Sequence, residues 1–160
     1  MLKPILLVED NPHDLELTLV ALERSQLANE VIVLRDGAEA LDYLFRRGAH
    51  KDRGEGNPAV LLLDLKLPKV DGLEVLEAVR NAEPLRSMPV VMLTSSREEP
   101  DLQRAYGLGV NAYVVKPVEF KDFVAAISDL GIFWAVLNEP PPGSARLARR
   151  RTPRSGGDEQ

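Results

Sequence analysis

Two stretches decide the fold of this chain: Ile-Leu-Leu-Val-Glu-Asp at residues 5–10 and Val-Leu-Leu-Leu-Asp at residues 60–64. In both stretches, four apolar residues are followed directly by an acidic residue. Short apolar runs bounded by turn signals are typical of buried strands. The carboxyl ends of parallel strands meet at one edge of a sheet, so we expect Glu9, Asp10 and Asp64 to lie together. Crowded carboxylates repel one another, and a hard divalent cation, usually Mg²⁺, neutralises them.

Strand-like and helix-like segments alternate along the whole sequence. This pattern predicts right-handed βαβ units, and therefore a parallel sheet with helices on both faces. The five predicted strands are Pro4–Val8, Val31–Leu34, Ala59–Leu63, Pro89–Leu93 and Ala112–Val115. The helix starts carry cap chemistry: Asn11 before Pro12, and the capping-box pairs Asp36/Glu39, Asp71/Glu74 and Ser96/Glu99.

Composition limits the classes of protein to which the chain can belong. It has 160 residues, of which 44% are hydrophobic and 28% charged, a net charge of −5 and no cysteine. These values indicate one globular domain with a real core, without disulfides or thiolate metal sites. The negative charge argues against general nucleic-acid binding. Because neither a signal peptide nor a membrane-spanning run is present, we expect a cytoplasmic protein that contacts no membrane.

The end of the sequence differs from the rest. Residues 138–160 open with three prolines and carry five arginines, so we expect a disordered, solvated tail after a domain that spans residues 1–137. Just before the tail, Ile132, Phe133 and Trp134 belong to a helix end that is apolar on nearly every side. Such a surface predicts an interface; the alternative is that these side chains fold back onto their own domain.

Two more strands lead into polar side chains at the same predicted edge. Strand four leads into Thr94 and strand five into Lys116. Together with the three acids, this set suits aspartyl phosphorylation, since a carboxylate is a recognised nucleophile and phosphoryl transfer needs positioning and charge neutralisation. Taken singly, each residue has an ordinary explanation as a cap, a turn residue or a solvated lysine. Their joint occurrence at four strand ends argues for a site.

The joint motif resembles the receiver domain of two-component response regulators. The resemblance spans Leu2–Leu137 and implies an α/β, flavodoxin-like, doubly wound sheet of five parallel strands in the order 2-1-3-4-5. It is carried by Leu7–Asn11, Leu63–Pro68, Asp71-Gly72, Leu93–Ser95 and Val115–Pro117.

The resemblance also implies a role for each residue of the site. Asp64 is expected to be the phosphoacceptor, and Thr94 and Lys116 to hold the phosphoryl group. The Lys116-Pro117 bond is expected to be cis. Asp10 and Asp64 are expected to bind Mg²⁺ directly, Glu9 through water and Lys66 through its backbone carbonyl. Thr94 and Tyr113 occupy the positions of the conformational switch; alternatively, Tyr113 is simply a half-buried strand aromatic.

The apolar helix end, the long loop before Asp64 and the late prolines resemble regulators that are paired with phytochrome-type histidine kinases. The implied function is that of a stand-alone response regulator in a phosphorelay. Its implied partners are a sensor histidine kinase, a histidine phosphotransfer protein and a second copy bound through the last helix. It would be no enzyme beyond its own phosphorylation and dephosphorylation. Two alternatives stay open, a phosphorylation-independent interaction module and a Mg²⁺-dependent phosphohydrolase, although Lys66 replaces the second acid that such hydrolases use.

Overall fold

The sheet contains five parallel strands in the order β2-β1-β3-β4-β5, which confirms the predicted flavodoxin-like α/β fold. The computed structural model describes residues 3–25, 28–54, 56–95 and 100–129. The strands are β1 (Ile5–Val8), β2 (Val31–Leu34), β3 (Val60–Asp64), β4 (Val90–Thr94) and β5 (Ala112–Val115). The helices are α1 (Pro12–Arg24), α2 (Gly37–Phe45), α3 (Gly72–Asn81), α4 (Pro100–Gly107) and α5 (Phe120–Asp129).

The sheet has an apolar core on each of its two faces. Leu6 and Val8 of β1 face the core that contains side chains of α2, α3 and α4. Ile5 and Leu7 face the opposite core, which contains side chains of α1 and α5. Strands β1, β3 and β4 are buried throughout. A strand covered on both faces needs apolar residues at every position, which is why these segments read as continuous apolar runs.

Strands β3 and β4 each end one residue later than the sequence pattern predicts. Asp64 is the last residue of β3, where it pairs with Leu93, and Thr94 is the last residue of β4. Both functional side chains therefore project from the hydrogen-bonded ladder itself. Strands β1 and β4 begin one residue later than predicted, directly after Pro4 and Pro89, because proline has no N–H to donate to a ladder.

One predicted capping box forms completely and another only in part. Asp71 and Glu74 exchange both side chain–backbone hydrogen bonds at the start of α3. Asp36 also caps α2, accepting from the N–H of Glu39 at 2.7 Å. The Glu39 side chain, however, contacts His50 at 3.2 Å. The second box is therefore only half formed, because the loop after α2 offers Glu39 another partner.

Three predicted features lie outside the described residues: the cap pair Ser96/Glu99, the apolar helix end at Ile132, Phe133 and Trp134, and the tail at residues 138–160. Helix α5 is described as far as Asp129, so the domain boundary at residue 137 stays a prediction. Within the described parts of the chain, no helix combines the length and the apolar character needed to cross a membrane.

Candidate functional site

Three carboxylates meet at the carboxyl ends of β1 and β3. Glu9, Asp10 and Asp64 each offer one oxygen, and these oxygens lie within 4.8 Å of one another. Glu9 and Asp64 are buried, whereas Asp10 is exposed at the mouth of the cluster. The predicted convergence of the three acids at one sheet edge is what the structure shows. A cluster of carboxylate oxygens that opens to solvent on one side suits a hard divalent cation.

The buried oxygen of Glu9 shows how well the cluster fits such an ion. Glu9 Oε1 accepts no hydrogen bond of ordinary geometry from the described residues, although Lys116 Nζ lies 3.1 Å away. That contact is an ion pair and leaves lone pairs of the oxygen unused. Buried polar atoms are rarely left without a partner, and a cation or a water bound to it would supply one. The residues therefore fit a divalent ion.

The Lys116 ammonium lies at the centre of the acids. Its Nζ is 3.1 Å from oxygens of Glu9, Asp14 and Asp64, and its side chain is only 14% exposed. Lys116 therefore forms ion pairs with three carboxylates at once. The following Lys116-Pro117 peptide bond is cis, as the resemblance implies.

Burial and mutual charge set the ionisation of the cluster. Burial, together with the hydrogen bond and charge of Glu9, raises the pKa of Asp64 from 3.8 to about 7, although Lys116 acts to lower it. For Lys116, burial acts to lower the pKa, but the charges of Asp64 and Glu9 outweigh it and the pKa is raised. The ammonium is therefore firmly charged, and the surplus charge of the site is negative.

The other predicted site residues surround this cluster. Thr94 is 1% exposed, and its carbonyl accepts a hydrogen bond from the Lys116 N–H at 2.7 Å. The Lys66 N–H donates to Asp64 Oδ1 at 3.3 Å, while its ammonium pairs with Asp101 at 2.7 Å. The part of Lys66 that touches the phosphoacceptor candidate is thus its backbone, whereas its side chain extends to the start of α4.

Tyr113 is a half-buried residue of β5, the strand that pairs with β4. Its ring meets that of Tyr106 on α4 edge to face, with a centroid separation of 6.1 Å and an interplanar angle of 88°. The position suits a residue that links the site to the surface around α4 and β5. Its role as a switch stays a prediction.

Two residues near the cluster escaped the sequence reasoning. Asp14 contacts Lys116 from the first turn of α1, and Arg35, directly after β2, donates from Nη2 to the Asp10 carbonyl at 3.1 Å. A signal for Asp14 was present, because a helix capped at Asn11 starts at the edge that holds the acids. Arg35 had no comparable signal beyond its position after a strand.

Comparison with known proteins fits this geometry. A sequence profile of the response regulator receiver domain matches residues 5–128. This chain belongs to the response regulator receiver family. The receiver is similar to the solved structure of the bacteriophytochrome response regulator RtBRR, with 78% identity and a TM-score of 0.81; the match covers 90% of this chain and 87% of that one.

Two curated relatives also match most of the receiver. The probable methanogenesis regulatory protein FilR2 of Methanothrix harundinacea is 44% identical over 137 residues, 86% of each chain. Response regulator Rcp1 of Synechocystis is 39% identical over 132 residues, 82% of this chain and 88% of Rcp1. A structure of Rcp1 in an Mn²⁺-bound form has a TM-score of 0.69 at 37% identity and covers 89% of this chain and 99% of that one. A metal-bound relative agrees with the fit of the acid cluster to a divalent ion.

Proposed function

We propose that this receiver accepts a phosphoryl group from a sensor histidine kinase onto Asp64, with Mg²⁺, and thereby changes a protein-binding surface. One observation carries the proposal: Lys116 Nζ lies 3.1 Å from Asp64 Oδ1 within a cluster of three acids at the strand ends. This arrangement provides a carboxylate nucleophile, a cation for the phosphoryl oxygens and oxygen ligands for a metal.

In the proposed reaction, an oxygen of Asp64 attacks the phosphorus of a phosphohistidine. An O–P bond forms while the P–N bond breaks, and the departing imidazole nitrogen keeps the electron pair and can take a proton from water. Lys116 pairs with one phosphoryl oxygen, and the Thr94 hydroxyl donates to another. Water later hydrolyses the acyl phosphate, which returns the carboxylate and releases phosphate. The protein thus catalyses only its own phosphorylation and dephosphorylation.

The residues proposed to hold Mg²⁺ are Asp10 and Asp64 directly, Glu9 through water, and Lys66 through its backbone carbonyl. When bound, the ion would neutralise the carboxylates and the phosphoryl oxygens, which is its usual contribution to phosphoryl transfer. The unused lone pairs of Glu9 Oε1 and the surplus negative charge of the cluster support this assignment.

The proposed partner is a histidine kinase of the phytochrome type, acting in the cytoplasm. The similarity to the bacteriophytochrome response regulator RtBRR supports this choice. We also propose a histidine phosphotransfer protein as a second phosphate acceptor and a homodimer formed through Ile132, Phe133 and Trp134.

The output would arise as the phosphoryl group draws Thr94 inward and Tyr113 follows, so that the α4–β5 surface changes.

The phosphohydrolase alternative is less well supported. Such an enzyme needs an acid/base group two residues after its nucleophile, and here that residue is Lys66, whose ammonium is paired with Asp101. The interaction-module alternative would require a defective site. The described residues instead bring Glu9, Asp64 and Lys116 into contact.

Intact-mass spectrometry after incubation with acetyl phosphate tests the proposal. The wild type should gain one phosphoryl group with Mg²⁺ and none with EDTA, and Asp64→Asn should gain none. Asp42→Asn is the matched control and should react like the wild type, because Asp42 lies on α2, is half-buried and pairs with Arg47. If the wild type fails to gain mass, or Asp64→Asn still does, Asp64 is not the phosphoacceptor.

A further inference from the structure

The structure assigns a fourth carboxylate to this site: we infer that Asp14 is a positioning residue that holds the Lys116 ammonium. Asp14 Oδ2 lies 3.1 Å from Lys116 Nζ, a contact that joins residues separated by 102 positions in the chain. The inference rests on the proposed function, since it concerns how Lys116 is prepared to meet a phosphoryl oxygen.

The backbone of Asp14 is held in place by its own helix. The Asp14 N–H donates to the Asn11 side chain at 2.9 Å, which is the cap of α1. The Asp14 carbonyl accepts from the Thr18 hydroxyl at 2.8 Å, and the Asn11 N–H donates to Glu9 Oε2 at 3.1 Å. The first turn of α1 is therefore tied to the acid cluster, and the Asp14 carboxylate reaches Lys116 from a fixed base.

Asp14 differs from the other two partners of Lys116 in one decisive respect. Glu9 and Asp64 belong to the group of oxygens that can share a metal ion, whereas Asp14 does not. A divalent cation bound to that group would draw on the charge of Glu9 and Asp64 and would repel the ammonium. Asp14 is then the one carboxylate among its three partners that lies outside the metal-binding group. It keeps the ammonium beside the mouth of the site, where a phosphoryl oxygen would arrive.

The contact is placed to have a measurable effect. Lys116 is 14% exposed and Asp14 is 26% exposed, so the pair is neither fully solvated nor fully buried. Exposed ion pairs contribute little, but charge-assisted hydrogen bonds in partly shielded sites contribute more. We expect Asp14→Asn to lower the rate of phosphorylation at saturating Mg²⁺ by about three- to tenfold. Asp14→Glu, which keeps the charge, should restore most of that rate.

The test compares variants in the full-length protein, with acetyl phosphate as phosphodonor and intact mass as the readout. Glu16→Gln removes a charge from an exposed position of the same helix and should change the rate by less than about twofold. In a Lys116→Ala background, Asp14→Asn should have no further effect, because Asp14 acts through the ammonium. The inference would be overturned if Asp14→Asn lowered the rate of phosphorylation no more than Glu16→Gln does. It would also be overturned if Asp14→Asn lowered the rate by the same factor in the Lys116→Ala background.

A second measurement does not depend on phosphorylation. In ¹H–¹⁵N spectra of lysine ammonium groups, protons that are held in an ion pair exchange slowly enough with water to be seen. With Mg²⁺ bound, the Lys116 signal should be present in the wild type and in Glu16→Gln but absent in Asp14→Asn. A signal that persists in Asp14→Asn contradicts the inference, whereas a wild type that keeps the signal but takes no phosphate contradicts only the proposed function.

Discussion

Replacing Asp64 with Asn should stabilise the metal-free protein. Asp64 is 4% exposed, and burial together with Glu9 raises its pKa from 3.8 to about 7. The difference of about three pH units, at 1.36 kcal/mol each, corresponds to roughly 4 kcal/mol by which ionised Asp64 destabilises the fold. Local relaxation and water reduce this figure, so we expect Asp64→Asn to raise the free energy of unfolding by about 1–4 kcal/mol near pH 8.

The effect should depend on pH in a defined direction. Because the folded-state pKa of Asp64 is raised, the full stability of the wild type is present below about pH 3.8, where Asp64 is protonated. That stability is lost as the pH rises through about 7 and Asp64 ionises in the folded protein. The gain from Asp64→Asn should therefore grow between about pH 4 and pH 7 and level off above. At about pH 5 it should be less than half of its value at pH 8.

Urea denaturation in EDTA at these two pH values measures the prediction, with the Asp42→Asn variant as the control. The Asp42 side chain is 41% exposed and pairs with Arg47, and its replacement should change the free energy of unfolding by no more than about 0.5 kcal/mol. Mg²⁺ should stabilise the wild type more than Asp64→Asn, because binding to the folded state adds stability by mass action. An unchanged or lower stability of Asp64→Asn at pH 8, or a gain that is independent of pH, would refute the reasoning.

Three further predictions follow from the site and the fold. Lys116→Ala should slow phosphorylation by about tenfold or more by loss of the phosphoryl-pairing cation, while calorimetry should show Mg²⁺ affinity kept or raised. Gly72→Ala should lower the free energy of unfolding by about 1–3 kcal/mol in urea titrations, because its Cβ would lie 2.3 Å from the Asp64 carbonyl oxygen. Gly107→Ala, whose Cβ would meet nothing within 4 Å, is its control. Trp134→Ala should weaken dimers in sedimentation velocity without changing phosphorylation, and an unchanged sedimentation profile would count against the proposed interface.

Much of the fold was determined by local sequence. Four consecutive apolar residues before Asp64 are typical of a strand that is buried on both faces, and the structure has such a strand in β3. The Asp71/Glu74 capping box needs only residues three apart in one chain segment, and it forms as predicted. Alternating strands and helices then limit the topology, because parallel connections are right-handed.

Only the tertiary structure decided which atoms meet at the site. Lys116 and Asp14 are 102 positions apart, and nothing local in either segment specifies a 3.1 Å contact between them. Glu39 illustrates the same limit. Its spacing from Asp36 predicts a capping box, but its side chain contacts His50 in the neighbouring loop instead. The pKa of Asp64 likewise depends on burial and on charges brought from other strands. Periodicity and capping depend on neighbours within a few residues, whereas side-chain contacts and electrostatics depend on how distant segments pack.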